Sequence, residues 1–244
     1  MSSKKKSCIS PNNGQDSCMN CSIREHSLLD ELNYEELESL NKNRYMVSYK
    51  AGEHICKEGA KPLGLICLKK GKVKISKRSM IGTEQIVSLR KPVDFIGFRA
   101  LLQESVCSAS AIALEDVSVC IINKDDFFKV IENNKQLALK VIRLMAHELN
   151  ETDNRLVNLA HKHIRARLAD ALLLVNDIYG TMPDKETLNV PLKRSDLAAI
   201  SNMTTANTIR VLSGFARENI IEIDQRDIKV KNLNALKHIS VIGR

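Results

Sequence analysis

The strongest constraint in this chain lies near its C-terminal end, where two short amphipathic helical patterns meet at a single residue. Arg194–Ser201 carries the first pattern, Thr205–Glu218 the second, and Asn202-Met-Thr204 stands between them. A junction that tight needs a residue that tolerates left-handed backbone, which Asn202 does and most residues do not. Ala198 is small where two helices would cross closely, and Leu197, Ile200, Met203, Ile209 and Leu212 supply a shared core. Strand-like residues Leu188–Leu192 precede the pair. After it, Ile220–Ile223, a turn at Asp224-Gln-Arg226 and Ile228–Lys231 read as a β-hairpin, closed by a short helix from Asn232. Residues 194–214 therefore read as a helix-turn-helix with a wing. An ordinary helical hairpin shares the two-helix pattern, but the flanking strand and the hairpin favour the winged form, whose partner is double-stranded DNA. Thr204 is placed at the N-cap of the second helix and Thr205, Asn207 and Arg210 near its exposed face; with Arg194, which opens the first helix, they are the candidate DNA-binding residues.

Residues 44–122 are written in a different grammar. Arg44–Tyr49, His54-Ile-Cys56, Leu63–Leu68, Val73–Ser76, Gln85–Leu89 and Val117–Ile122 are short alternating or β-branched runs. Turn signals at Lys50-Ala-Gly52, Glu58-Gly59, Lys70-Gly71 and Ile81-Gly82 separate them. Short strands so closely spaced form a sandwich, roll or barrel. Just ahead of them, Leu28, Leu29, Leu32, Leu37 and Leu40 fall at helical spacings across short acidic helices.

Helical pattern returns at Lys124-Asp-Asp-Phe127 and runs on over Asn133–Asn158. Here Ile142, Met145, Leu149, Thr152, Leu156 and Leu159 recur alternately three and four residues apart, which is a heptad seam. Such a stripe after a compact domain suits dimerisation, with packing on the chain's own domain as the competing use. Polar Thr152 within it would keep pairing marginal and hence switchable. A further helical stretch over 163–179 ends at Gly180-Thr-Met-Pro183.

A chain of 244 residues that is 43% hydrophobic can support two folded units. The fold class expected is α+β: a cysteine-containing tail over 1–27, a sensor domain of short strands over 28–132, a dimerisation helix over 133–162 and the winged helix-turn-helix over 163–244. No run approaches the roughly 20 apolar residues of a membrane span, and Met1-Ser-Ser-Lys-Lys-Lys6 leads into polar sequence, so a cytoplasmic protein with no membrane partner is expected. The net charge of +8 suits a polyanionic partner, although it is spread along the chain instead of concentrated in the last segment. There is no phosphate-binding glycine loop, nucleophile elbow or metalloprotease motif, so no catalytic residue is assigned and an enzyme is not expected. Seven cysteines, an odd number in a chain without disulfide-scaffold character, point to reduced thiols used structurally, for metal binding or for redox sensing.

Taken in order, these pieces resemble the Crp/Fnr family of bacterial transcription regulators over about residues 28–240. Three stretches carry the resemblance: Tyr49-Lys-Ala-Gly-Glu-His-Ile-Cys-Lys-Glu-Gly59, Asp94-Phe-Ile-Gly-Phe98, and Leu192 through Ile221. The resemblance implies a cyclic-nucleotide-binding-like β-roll, a homodimer bound to a palindromic operator, and RNA polymerase as a further partner. It also implies that Arg210 contacts a base or phosphate, whereas Ala206 stands where the family's base-reading glutamate is usual. Sites for cyclic AMP in this fold resemble a Gly-Glu pair followed by an Arg-Ser pair that meets the cyclic phosphate. Here Phe98 follows Gly97, and Cys107-Ser108 stands at the Arg-Ser position, so the carboxylate and the guanidinium are both missing. A buried phosphate without its cation is strongly disfavoured, which argues against a cyclic nucleotide.

The cysteines are similar to those of the Fnr-type branch, which senses oxygen. Cys18-Met-Asn-Cys21 resembles the start of that branch's cluster motif, and Cys120 aligns with its distant strand cysteine. The resemblance implies a [4Fe-4S] cluster, whose iron atoms take soft thiolate ligands. Ser27 stands at the family's third tail position, and Cys8 is the candidate fourth ligand, able to reach back through the turn-forming Pro11, Asn12, Asn13 and Gly14. Cys56, Cys67 and Cys107 are read as small structural residues. A zinc or purely thiol sensor, and a chain with no metal, stay open beside the cluster. So does a haem- or cluster-binding redox protein with an incidental helix-turn-helix, for which His26, His54, His147, His161, His163 and His238 offer axial ligands without any haem-attachment motif. In the mechanism expected, an intact cluster favours the paired seam, oxygen or nitric oxide loosens it, and DNA affinity follows from bivalency.

Overall fold

A computed structural model of the chain describes residues 8–9, 21, 24, 27–30 and 32–243, with residues 8 and 9 described by their backbone alone. Two compact units emerge, the first comprising Met1–Ile75 with Arg90–Glu148 and the second Ser76–Leu89 with Leu149–Arg244.

In chain order the elements of the sensor region are β1 (Cys8–Ile9), α1 (Tyr34–Lys42), β2 (Tyr45–Tyr49), β3 (His54–Cys56), β4 (Leu65–Lys70), β5 (Val73–Arg78), β6 (Glu84–Arg90), β7 (Phe95–Ile96), α2 (Phe98–Leu102), β8 (Ser110–Ala113), β9 (Val117–Ile122), α3 (Lys124–Asn133) and α4 (Lys135–His161). Two sheets form, ordered β1-β2-β9-β4-β7 and β3-β8-β5-β6. Their pairing is antiparallel wherever register is resolved, and β9 runs alongside both β2 and β4. Alternation along β9 explains why it reads as a continuous apolar run. Val117, Val119 and Ile121 join one core cluster with Val47, Leu68, Val73 and Ala111, while Cys120 and Ile122 join a second with Leu37, Leu40, Phe127 and Leu137 of the helices. The turn between β4 and β5 depends on Gly71. At φ +94° a Cβ there would come within 2.6 Å of Val117 Cγ1 and 2.8 Å of Asp116 O, so no other residue fits.

The expected strands form, but β1, β7 and β8 and the short helix α2 were not legible in the sequence. Two-residue strands leave no period to detect, and Ser110–Ala113 lacks the β-branched content that marks a strand. The helical pattern expected from Asn133 is divided at Asn134, which leaves helical backbone at φ −113°, ψ 96°. Its side chain accepts a hydrogen bond from Leu137 N at 2.9 Å and starts α4 afresh.

The second unit continues with α5 (Ile164–Tyr179), α6 (Arg194–Ser201), α7 (Thr205–Arg217), β10 (Ile221–Asp224), β11 (Asp227–Val230) and α8 (Leu233–Ile242). Helix α5 packs on α6, α7 and α8, burying Leu168, Leu172, Val175, Leu197, Leu212, Phe215, Leu236 and Ile239. A paired Arg165 and Glu218 lock α5 to the end of α7, with the guanidinium 4.9 Å from the Phe215 ring centroid. The strand expected at Leu188–Leu192 is reduced to isolated bridges, Thr181 to Leu188 and Thr187 to Lys229. Between them, β5–β6 residues Ser76–Leu89 group with this unit, where Arg155 of α4 donates to Ile86 O (2.7 Å), Val87 O (3.0 Å) and Ile200 O (3.1 Å). Among the described residues no helix is long and apolar enough to cross a membrane.

Candidate nucleic-acid interface and sensor thiols

The turn between α6 and α7 forms as its chemistry demands. Asn202 takes left-handed backbone at φ 51°, ψ 56°, and its N–H returns to Ala198 O. Thr204 then caps α7, its hydroxyl oxygen accepting from Asn207 N at 3.2 Å. Thr205, Ala206, Ile209 and Arg210 are exposed on α7 and Asn207 is half-buried. Arg210 donates to Asn207 Oδ1 at 3.0 Å, so the two candidates form one polar pair on the open side of the helix. Arg217, seven residues further on, is also exposed and was not singled out in the sequence; two turns of helix bring it back to the face of Arg210.

One core assignment is overturned. Ile209, expected inside, is 49% exposed, and Thr208 is fully buried in its place beside the line of Leu212 and Phe215. A threonine can be interior here because its hydroxyl donates to Thr204 O at 3.1 Å within its own helix. Hydrophobicity alone points to the wrong neighbour.

Arg194 is partly committed elsewhere. Its guanidinium donates to Gln225 O at 3.1 Å and to Arg226 O at 3.4 Å, which ties the start of α6 to the wing turn, and burial lowers its pKa. The wing lysines are internally compensated, since Lys229 and Lys231 both pair with Glu222 and Lys231 also pairs with Glu186. Exposed Arg226, at the two-residue turn, is the wing cation left facing outward.

The heptad positions of α4 divide into two kinds. Ile142, Leu149 and Leu156, each seven residues from the next, are 61%, 63% and 67% exposed. Met145 is half-buried against the helix-side core cluster, Leu159 is half-buried, and Thr152 is exposed. The outward stripe is thus narrower than the seam read from sequence, and its three aliphatic side chains lack cover among the described residues.

A small cavity of about 40 Å³ lies at the positions of the family's cyclic-nucleotide motifs, lined in part by Cys56, Arg90, Gly97, Phe98, Cys107 and Ser108. Gly97 holds left-handed backbone at φ +71°, and a Cβ on it would be 3.9 Å from Cys107 Sγ and 4.0 Å from Cys56 Sγ. Burial, reinforced by Cys107, pushes the Cys56 thiol up to about 12. The sequence reading missed Arg90 as a lining cation, but its charge is taken by Glu148 at 2.5 Å, with Arg99 3.8 Å from the same carboxylate. Arg90 and Arg99, both lining the cavity, thus share the one Glu148 carboxylate.

Of the expected cluster ligands, Cys18 lies outside the described residues, and Cys8 is placed by its backbone alone, opposite Val47 of β2. Cys120 is buried on β9, where Arg44 donates to its Sγ at 3.3 Å. Cys21 and Cys120 both stand close enough to Cys67 to raise its pKa, after the larger effect of burial, while Arg44 opposes them. Ser27, at the position where a third tail thiol was sought, has its hydroxyl engaged: it donates to Arg24 O at 2.9 Å and accepts from Leu29 N at 3.1 Å. Among the described residues no three His, Cys, Asp or Glu side chains converge tightly enough to hold a single metal ion. A cubic cluster makes a different demand, because each of its corners takes its own thiolate and the cluster's width holds the ligands apart.

The family model of the cyclic nucleotide-binding domain matches residues 46–134, and that of the Crp-like helix-turn-helix domain matches residues 166–239. The chain is 27% identical over 193 residues to a cyclic AMP receptor protein of Thermus thermophilus, covering 79% of this chain and 86% of that one. It is 25% identical over 232 residues to an anaerobic regulatory protein of Aggregatibacter actinomycetemcomitans, covering 91% and 87% respectively. In structure it is similar to FixK2 from Bradyrhizobium japonicum, with a TM-score of 0.72 at 22% identity over 81% of this chain and 98% of the other.

Proposed function

Because this chain belongs to the Crp/Fnr family, whose members are transcription regulators and not enzymes, we propose that it binds a palindromic operator as a homodimer and senses oxygen or nitric oxide through a cysteine-held [4Fe-4S] cluster. The observation that carries the DNA reading is α7 itself, capped by Thr204 behind the left-handed Asn202 and presenting Thr205, Ala206, Ile209 and Arg210 outward. Arg210 can donate two parallel hydrogen bonds to a guanine edge, Thr205 and Asn207 flank it, and Ala206 offers only a methyl group, so the half-site differs from one read by a glutamate there. Arg194 steadies the wing from behind. The exposed Ile142, Leu149 and Leu156 stripe supplies the pairing surface, and each such side chain contributes roughly 1.5–3 kcal/mol when fully buried against a second copy. Two reading helices on one dimer then engage two half-sites, and RNA polymerase is the partner recruited or blocked beside them.

The sensor half of the proposal rests on the donor set. The Cys120 thiol accepts a hydrogen bond from the Arg44 guanidinium, and Cys21 and Cys120 both stand close to Cys67, a group of soft donors with a cation beside one of them, which fits an iron–sulfur group. When bound, such a group supplies a centre that oxygen and nitric oxide attack. Cys18, Cys21 and Cys120 would hold it, Arg44 would keep its hydrogen bond to the Cys120 sulfur, and the helix-side core behind β9 would exclude water from that side. The cavity at Cys56 and Cys107 has neither the Gly-Glu carboxylate nor the Arg-Ser guanidinium of a cyclic-nucleotide site, and its Arg90 and Arg99 share the Glu148 carboxylate, which favours the thiols over a cyclic nucleotide as the sensing site.

Anaerobic purification followed by iron and sulfide analysis, then operator selection with and without air, tests both halves. Stoichiometric iron and sulfide with air-sensitive binding to a two-fold symmetric site is the expected result. Protein without iron, whose DNA binding answers instead to cyclic AMP, would replace the cluster by the cavity as the sensor.

A further inference from the structure

We propose that Cys67 on β4 is a thiolate ligand of the cluster, occupying the fourth place for which Cys8 was the sequence candidate; the inference rests on the cluster reading above. Across the five-stranded sheet, Ile9, Met46, Cys120, Cys67 and Phe95 stand opposite one another in a single row. Directly opposed residues on antiparallel strands project to the same face, with Cβ atoms roughly 4.5–5.5 Å apart. Cys67 and Cys120 accordingly both pack on the helix-side cluster and not between the sheets. Cys8 stands opposite Val47, one residue out of that row.

Exposure and neighbours point the same way. Cys120 is buried but Cys67 is only half-buried, so a tail-borne group can reach it. Cys21, the last thiol of the tail motif, stands near enough to Cys67 to raise its pKa. The Ser27 hydroxyl, at the third tail position, is spent in a local turn and offers no ligand. A buried cysteine is ordinarily a small apolar filler. Two thiols in register on one face of a sheet, with Arg44 bonded to one of them and Cys21 close to the other, are more than a filler requires. On ligation each thiol would release its proton to solvent as the thiolate bonds iron, and Arg44, 3.3 Å from Cys120 Sγ, would offset part of the accumulated negative charge.

The test is anaerobic reconstitution of the full chain with ferrous iron and sulfide, comparing wild type with Cys67→Ser, Cys67→Ala, Cys120→Ser, Cys8→Ser and Cys56→Ser. Iron and sulfide per chain and the visible absorbance are the readouts. The two Cys67 variants should fall to the level of Cys120→Ser, with Cys8→Ser and Cys56→Ser keeping the wild-type content. Cys67 variants that retain wild-type iron, sulfide and spectrum overturn the assignment while leaving the cluster reading intact. Wild-type protein that takes up no iron and sulfide overturns the cluster reading itself, and the Cys67 assignment with it. Should the Cys67 variants misfold, alkylation of the wild type followed by mass spectrometry decides. Labelling of Cys67 should be at least ~10-fold slower in loaded protein than after chelation, and equal rates in the two states would count against ligation.

Discussion

Arg210 and Asn207 show how much a single helical turn can prepare. The guanidinium is held at 3.0 Å by a neighbouring amide before any partner arrives, so less side-chain freedom is lost on contact. Arg210→Ala should weaken operator binding by about 1–3 kcal/mol per half-site if the arginine reads a base, and should relax specificity at that position. Fluorescence anisotropy at one fixed salt concentration measures this, with sedimentation confirming an intact dimer; equal affinity for variant and parent would remove Arg210 from the interface. The thiols carry a second prediction. Cys56, its pKa pushed up to about 12 by burial and by Cys107, is protonated at neutral pH. A raised folded-state value means that the thiol favours the folded chain below its ordinary range near 9 and loses that contribution as pH climbs from there toward 12. Iodoacetamide should therefore leave Cys56 essentially unmodified at pH 7, and rapid labelling there would contradict the buried environment.

At the level of elements, Arg155 links three pieces of the second unit. From α4 it donates to two carbonyls of β6, those of Ile86 and Val87, and to Ile200 O near the end of α6. The last contact places a cation at a helix C-terminus, where exposed carbonyls favour positive charge. Arg155→Ala leaves those carbonyls without this donor and should destabilise the unit by about 1.5–3 kcal/mol, the range for one hydrogen bond to a charged group. Hydrogen exchange should quicken at the amides of β6 and of the α6–α7 turn, and unchanged protection at both would show that the guanidinium is dispensable. Legibility differed sharply among the elements. The turn at Asn202 and the cap at Thr204 were readable because each depends on a side chain acting on its own backbone. Strands β7 and β8 were not, since a two-residue strand exists only through its partner and Ser110–Ala113 only by lying between β3 and β5. The same reasoning covers Ile209 and Thr208, whose places depended on the rotation of α7 against α5 and α6.

On the scale of the whole molecule, the proposed pairing through the exposed stripe on α4 would make dimerisation the step on which DNA affinity turns. Leu149→Glu would set like charges against each other across the pair and should yield a monomer in analytical ultracentrifugation. Operator affinity should then fall by about 100-fold or more through loss of the second half-site, even though α7 is untouched. A variant that remained dimeric would move the interface elsewhere. From sequence alone came the order of the parts, a run of short strands, a heptad helix and a winged helix-turn-helix, because period, turn residues and caps act over a few neighbouring positions. The missing Arg-Ser pair at Cys107-Ser108 was equally plain, since it concerns which side chains are present. Only tertiary structure decided that Ile142, Leu149 and Leu156 stay uncovered while Met145 turns inward, that Glu148 takes the charge of Arg90, and that Cys67 stands across from Cys120. Each of these depends on strand register or helix rotation between residues far apart in the chain, where a shift of one position moves a side chain to the opposite face of a sheet.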